Sequence, residues 1–361
     1  KTFMKKLKVG ILGATGMVGQ RFVDLLSNHP WFEITCVAAS PKSRGRLYKD
    51  AVKNRWGLES EIPQQVKALK VLSVVDDLKR IAQETDLVFC ALDMDKEEIK
   101  KIEIAYANED IAVISNNSAH RFTEDVPMIM PEINPHHLKL IEIQRKNRRW
   151  EKGLIVVKPN CSIQSYVSIL TALRKFQPLK VHVVSLQAIS GAGKTFKTWP
   201  EMIDNVIPFI GGEEEKSEKE PLKIWGEVKN NKIILTQQPQ ISTTCIRIPV
   251  SDGHMASVSV SFGKKPSKDD VLFAIKRFKN PIAKLQLPSS PKTFIKYFEE
   301  ADYPQTKLHR NFENGMGITM GRLQEDRHFD WKFVALSHNT IRGAAGGAVL
   351  TAELLVKKGY I

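Results

Sequence analysis

Three short stretches of the chain combine residue types with the spacing that chemistry requires. Gly13-Ala14-Thr15-Gly16-Met17-Val18-Gly19 follows an apolar, β-rich run and opens an amphipathic one. Glycines at this spacing let a chain turn sharply and let a pyrophosphate approach the N–H groups of a helix start, which is a variant of the dinucleotide fingerprint. A tight strand-to-helix turn would use the same glycines. The second strand then bears on which dinucleotide: it ends Ala39-Ser40-Pro41-Lys42-Ser43-Arg44, without the acid that usually holds the ribose of NAD. This favours NADP, with Ser40, Ser43 and Arg44 toward the 2′-phosphate; the other reading is a basic surface loop.

Lys158-Pro159-Asn160-Cys161-Ser162 stands between an apolar strand, 154–157, and an apolar helix, 165–176. A cysteine at a helix start has its thiolate stabilised by the helix dipole, and the backbone N–H groups there can hold an oxyanion. A buried structural thiol is the alternative. Cys36 and Cys90 lie inside apolar strands and read as packing, while Cys245 stays open. In the third stretch, Arg247-Ile248-Pro249-Val250-Ser251-Asp252-Gly253-His254, Arg247 lies opposite Ile246 and Ile248, placed to clamp a carboxylate in bidentate fashion. His254 opens the next strand after a Ser-Asp-Gly turn, as a general base for a distant cysteine or as a polar strand end.

The elements that must position these residues change character along the chain. Strands over 8–13, 34–40, 69–75, 86–93 and 111–117 alternate with helices over 17–28 and 96–108, the pattern of a parallel, doubly wound sheet. Beyond about residue 155 the strands lengthen: 179–190, 241–250, 254–262, 315–324 and 330–337. In 254–262, Val258, Val260 and Phe262 face one way and Ser257, Ser259 and Ser261 the other, which suits a largely antiparallel sheet covered on one side. The charge run 211–220 reads as a solvated loop or helix start. The Ala/Gly/Leu-rich segment 341–360 reads as a helix packed closely on a sheet.

The 361 residues suggest two domains, and 42% hydrophobic with 26% charged content excludes disordered, collagenous and disulfide-scaffold classes. No apolar run reaches the length of a membrane helix, the KKLK start lacks a cleavage-site pattern, and the four cysteines have no metal-ligand spacing. A reducing, cytoplasmic location is expected. The 54 Lys and Arg against 40 Asp and Glu leave a charge of +14, compatible with nucleic acid, anionic substrates or a basic enzyme. Arg145-Lys146-Asn147-Arg148-Arg149 beside Trp150 is the best evidence for nucleic acid, but most of the surplus is dispersed Lys and no RNA-binding aromatic signature accompanies it, so no nucleic-acid partner is expected.

GATGMVG, SNNSAHR (115–121), PNCS (159–162), QAISGAG (187–193), GEEEK (212–216), RIPVSDGH (247–254) and IRGAAGGAV (341–349) occur in the order seen in aspartate-semialdehyde dehydrogenases. The chain resembles the archaeal and fungal branch over essentially its whole length. The resemblance implies a Rossmann-type domain, 1–159 with 338–361, and an α+β catalytic and oligomerisation domain, 160–337, with a mixed, largely antiparallel sheet. It implies Cys161 as nucleophile, His254 as acid/base, and Gln187 and Asn160 around the reacting carbonyl. Arg247 would take the substrate carboxylate and Glu213 its amino group, with Glu214 and Glu215 as alternatives. Lys216 and Arg121, with Asn117 and Ser118, would hold inorganic phosphate. Ser190, Gly191, Gly193 and Asn339, with the region of Gly346, would line the nicotinamide side. The implied reaction is reduction of L-4-aspartyl phosphate to the semialdehyde with NADP as cofactor, toward lysine, threonine and methionine, in a homodimer or homotetramer. Malonyl-CoA reductases are similar to this branch and keep the fold while changing the acyl group. Ile163-Gln164 departs from the small residues expected after PNCS, as a harmless neighbour or a mark of shifted specificity.

Overall fold

The structure is a computed structural model that describes residues 5–361. Six short apolar strands, β1 (Leu7–Leu12), β2 (Phe32–Ala39), β3 (Val71–Ser73), β4 (Leu87–Cys90), β5 (Ala112–Ser115) and β6 (Leu154–Val157), form an all-parallel sheet in the order β3-β2-β1-β4-β5-β6. Their side chains are nearly all buried, as both faces of a parallel sheet must be. The strand order reverses between β1 and β4, so the crevice at their C-terminal ends is where a doubly wound sheet binds ligands. The Gly13–Gly19 loop lies there. β4 and β5 end earlier than the sequence suggests, because Asn117 hydrogen-bonds both backbone groups of Leu92 and turns both chains out of the sheet. The helix Leu140–Arg148 is absent from the sequence reading; its polar residues mask Leu140 and Ile141, which are buried.

The second half forms a mixed sheet from β7 (Pro178–Gln187), β10 (Gln240–Arg247), β11 (His254–Phe262), β12 (Ile295–Tyr297), β13 (Ile318–Glu325) and β14 (Trp331–Ser337), with a separate hairpin of β8 (Glu227–Lys229) and β9 (Lys232–Ile234). The order is β10-β7-β11-β14-β13-β12, antiparallel at its centre and parallel at both edges. In β11, Val258, Val260 and Phe262 are buried while the serines are more open, as the alternation requires. The helix Gln164–Ala172 packs against β11, β13 and β14 on that covered face.

The terminal helix Gly346–Lys357 returns to the parallel sheet, where Val349, Leu350 and Leu354 share a core with Val9 and Ile11. Each such side chain contributes roughly 1.5–3 kcal/mol by leaving water. Just before it, Arg342 is 1% exposed, donates to both Glu132 carboxylate oxygens at 2.9 and 2.6 Å and to the Met316 carbonyl, and lies over Phe294. It thereby joins the terminal segment to both halves. Two arginines of the basic cluster are spent on the fold too: Arg148 pairs with Asp125 and Arg145 with the carbonyls of Lys152, Gly153 and Tyr360. Among the described residues, no helix is long and apolar enough to cross a membrane. Arg342→Met leaves Glu132 buried and unpaired, and is expected to lower the unfolding free energy in urea by about 3–5 kcal/mol; a loss under about 1 kcal/mol would show that the pair contributes little.

Candidate active site

Cys161 follows β6 and precedes the helix Gln164–Ala172 by three residues, so it stands in the turn that leads into the helix rather than on its first turn. That turn is held from within. Asn160 Oδ1 accepts from the Ser162 amide at 2.7 Å, and Gln164, 1% exposed, donates to the Asn160 carbonyl at 3.0 Å. The Gln164 departure thus has a structural use, clamping the cysteine turn.

Facing this turn, the start of β11 brings His254 Nε2 to 3.4 Å from Cys161 Sγ. His254 is 1% exposed and its Nδ1 accepts the Ala188 amide at 3.1 Å. An amide N–H can only donate, so Nδ1 is the bare nitrogen and the neutral ring directs Nε2–H at the sulfur. Burial, and then the Arg247 charge, push the imidazole down to about 3, so the ring is uncharged at neutral pH. The Ala188 carbonyl accepts from Arg247 Nη1 at 2.7 Å. One buried residue after β7 therefore orients both the histidine and the arginine. A Cβ on Gly191 would lie 2.9 Å from Arg247 Nη1 and 3.1 Å from the His254 ring, so a glycine there keeps the space over both side chains clear.

The charge run 211–220 is not simply solvated. It builds the helix Glu213–Ile224, on which Ser217 and Glu220 are fully buried. Of the three candidate acids, Glu213 turns to the cysteine loop: Asn160 Nδ2 donates to its two oxygens at 3.1 and 3.0 Å, and Lys216 pairs with it at 2.8 Å. Glu214 accepts the Cys245 amide, and Glu215 pairs outside with Lys219. Arg121 donates to Glu220, the Lys158 carbonyl and the Asn116 carbonyl, which spends much of its guanidinium on the structure. Asn117 is committed to Leu92, and Ser118 lies half-buried in the same turn. Gln187, at the end of β7, donates to Ser185.

On the crevice side, Gly13 has φ +87°, and a Cβ there would meet the Ala91 carbonyl oxygen at 2.2 Å. Gly16 is exposed, with nothing nearer than 3.6 Å to an added Cβ, which leaves the loop open to an incoming group. A cavity of about 340 Å³ runs from Met17 to Ser190 and is closed by residues the sequence reading did not single out, among them Lys194, Arg310 and His338. Asn339 bridges it from behind, donating to Ser190 Oγ and accepting the Gly253 amide. Ser40 and Arg44 are exposed at the end of β2, where Arg44 pairs with Asp77 at 2.6 Å. Cys36, Cys90 and Cys245 are buried free thiols that contact Glu84, Asn117 and Ser217 rather than a histidine.

A family model for the semialdehyde dehydrogenase NAD-binding domain matches residues 8–141, and one for the semialdehyde dehydrogenase dimerisation domain matches 170–342. The chain is 42% identical to an aspartate-semialdehyde dehydrogenase of Archaeoglobus fulgidus, covering 99% of this chain and 100% of that one. The chain belongs to the aspartate-semialdehyde dehydrogenase family. A member from Schizosaccharomyces pombe is 41% identical, with 98% of this chain and 99% of that one covered. The crystal structure of the family member from Candida albicans with NADP matches at a TM-score of 0.88 and 35% identity, over 99% of this chain and 100% of that one.

Within this family member, Ala188, Gln164 and the buried Glu220 and Lys158 are the site residues that sequence reasoning missed. Ala188 and Gln164 adjoin quoted motifs, but their work is done by backbone groups and by a long-range clamp that spacing does not express. Nitrogen-15 NMR of labelled histidine should show His254 as the neutral Nε2–H form at pH 7, with no imidazolium down to pH 5. An Nδ1–H form, or titration near pH 6.5, would contradict the geometry.

Proposed function

We propose that the chain is an NADP-dependent aspartate-semialdehyde dehydrogenase that works through a Cys161 thioester, reversibly converting L-4-aspartyl phosphate to L-aspartate 4-semialdehyde. The observation that carries this reading is the 3.4 Å approach of Cys161 Sγ and His254 Nε2 beside a buried arginine and an acid–lysine pair. A substrate with carboxylate, ammonium and phosphate groups needs that set of charges.

The crevice suits NADP: an exposed Gly16 opens the loop to a pyrophosphate, with Thr15, Met17, Val18 and Gly19 beside it, and Ser40, Ser43 and Arg44 form the 2′-phosphate end. Ser190 lines its inner end, held by Asn339, with Gly191 and Gly193 in the same turn. When bound, NADP supplies or accepts the hydride that interconverts the aldehyde and acyl levels.

The chain's own residues do the rest. Arg247 takes the α-carboxylate, and Glu213, already a partner of Lys216, takes the ammonium. As the thiolate, its proton released to solvent, Cys161 Sγ bonds the carbonyl carbon, and the oxyanion so formed faces Nε2–H of His254, the acid side of its acid/base role. Asn160 and Gln187 flank the reacting group. Lys216, with the Arg121 charge and the Asn117–Ser118 turn, holds the phosphate that attacks or leaves the thioester. The product places the enzyme on the route to lysine, threonine and methionine.

The division into 1–159 with 338–361 and 160–337 is supported by the return of the terminal helix to the parallel sheet. A homodimer or homotetramer is supported by the match to a dimerisation-domain model and by the exposed Ile203, Val206 and Phe209. Four free cysteines, one of them the nucleophile, suit the reducing cytoplasm.

With aspartate semialdehyde, NADP and phosphate, purified protein should form NADPH; omitting phosphate should lower the rate about 100-fold or more, and Cys161→Ala about 1,000-fold or more without unfolding. Faster turnover of malonyl-CoA with NADPH, or an active Cys161→Ala, would overturn the reading. Replacing NADP by NAD should cost about tenfold or more in kcat/KM, and Arg44→Ala should shrink that preference; an unchanged ratio in the variant would remove Arg44 from the cofactor site.

A further inference from the structure

One face of the helix Glu213–Ile224 meets both the cysteine turn and the turn that carries Arg121. Glu213 receives the Asn160 side chain, and Lys223 Nζ donates to the carbonyls of Arg121, Thr123 and Val126. Glu220, between them, is fully buried and meets both turns at once: its Oε1 accepts from Arg121 Nη1 at 2.8 Å and its Oε2 from the Asn160 amide at 2.6 Å. That amide belongs to the residue before Cys161, so a single planar carboxylate spans from the arginine to the backbone beside the thiol. The helix is itself fixed. Pro221 has no N–H, which frees the Ser217 carbonyl four residues back, and the Tyr166 hydroxyl, on the helix Gln164–Ala172, donates to it at 2.7 Å.

The guanidinium of Arg121 is anchored at each nitrogen. Nε donates to the Lys158 carbonyl at 3.0 Å, Nη2 to the Asn116 carbonyl at 3.1 Å, and Nη1 to Glu220. One N–H on each terminal nitrogen is left over for an anion. Of the three anchors Glu220 is the charged one, and the one that also holds the cysteine turn. By charge alone, an acid this close to Arg121 works against an anionic ligand, because it repels the anion that the arginine attracts. What it adds is a fixed distance between the arginine and the cysteine turn.

We propose that Glu220 is a positioning residue for the acyl-acceptor step, fixing the phosphate held by Arg121 against the thioester carbonyl on Cys161. The proposal rests on the Cys161 thioester and on phosphate as the acceptor. In that step a phosphate oxygen bonds the carbonyl carbon and the C–S bond breaks, which leaves the acyl phosphate and the Cys161 thiolate. Glu220 exchanges no proton and touches neither reactant. Hydride transfer forms the thioester before phosphate acts and leaves Arg121 out. The cysteine turn keeps its bonds within itself and to Glu213 when Glu220 is altered, so the loss falls on the relation between that turn and Arg121.

Two variants of the full-length protein separate geometry from charge. Glu220→Gln keeps the length, loses the charge and turns an amide N–H2 toward one of the two donors; Glu220→Asp keeps the charge and loses the reach to both. In each, kcat/KM for inorganic phosphate should fall about tenfold or more, while the stopped-flow NADPH burst with aspartate semialdehyde and NADP in phosphate-free buffer stays within about twofold of wild type. A rise for phosphate in Glu220→Gln with no change in Glu220→Asp would show a charge effect and overturn the proposal. Equal losses in the burst and in the phosphate-dependent rate would show a residue of the fold alone, and overturn it too. Should Glu220→Gln not fold, Glu220→Asp decides. A wild type whose turnover ignores phosphate would sink the acceptor reading of the reaction; a phosphate-dependent wild type with unmoved variants would sink the role of Glu220 alone.

Discussion

A 3.4 Å contact between a thiol at the end of the parallel sheet and an imidazole at the start of a strand in the mixed sheet governs this structure. The two residues are 93 positions apart and belong to different sheets. Their separation is therefore set by how the halves dock, and small errors of docking would move the reacting atoms out of reach. The docking is accordingly done by buried, directional groups rather than by apolar contact alone. Arg121 and Glu220 pair across it, Lys223 Nζ gathers the carbonyls of Arg121, Thr123 and Val126, and His137 reaches the Gly226 carbonyl. Apolar surfaces can slide by an ångström with little penalty; bidentate and multiply bonded charges cannot.

The same demand shapes the electrostatics around the sulfur. On the proposed reading the site holds an anionic substrate and so collects cations, yet it buries them, so their charge must be balanced. Glu220 balances Arg121, Glu132 balances Arg342, and Glu213 balances Lys216. Lys158 has no such partner, and burial pushes its ammonium well below its ordinary range. His254 likewise stays neutral, held by the Ala188 amide and by burial. At neutral pH, then, Cys161 and His254 are a neutral thiol and a neutral imidazole, inside a ring of paired charges. In the proposed reaction charge would develop on the sulfur, where Nε2–H already points, and on the carbonyl oxygen bonded beside it.

Sequence made much of this legible because the chemistry is local in places. The Gly13–Gly19 turn, the cysteine after β6, and the serine/valine alternation of β11 are each written within a few residues, and the structure has all three. The doubly wound order followed from the alternation of strand and helix. Long-range pairing was not legible. The charge run 211–220 looks solvated by composition, and only the tertiary fold reveals that every third or fourth residue, Glu213, Ser217 and Glu220, turns inward. Arg121 and Asn117 have the right types for phosphate, but much of their bonding capacity is used on neighbouring backbone that spacing does not express. Lys158 adjoined the most evident motif of all and still gave no signal, because a lysine is read as surface until its burial is known.

The claim on which everything else rests is that the acyl group passes through Cys161. The most direct measurement mixes the protein with aspartate semialdehyde and NADP in phosphate-free buffer, quenches in acid, and maps the modified peptide by mass spectrometry. A thioester-linked aspartyl adduct on Cys161 that disappears when phosphate is added before the quench is the predicted result. An adduct on Cys36, Cys90 or Cys245, or NADPH formed with Cys161 unmodified and replaceable, would contradict it.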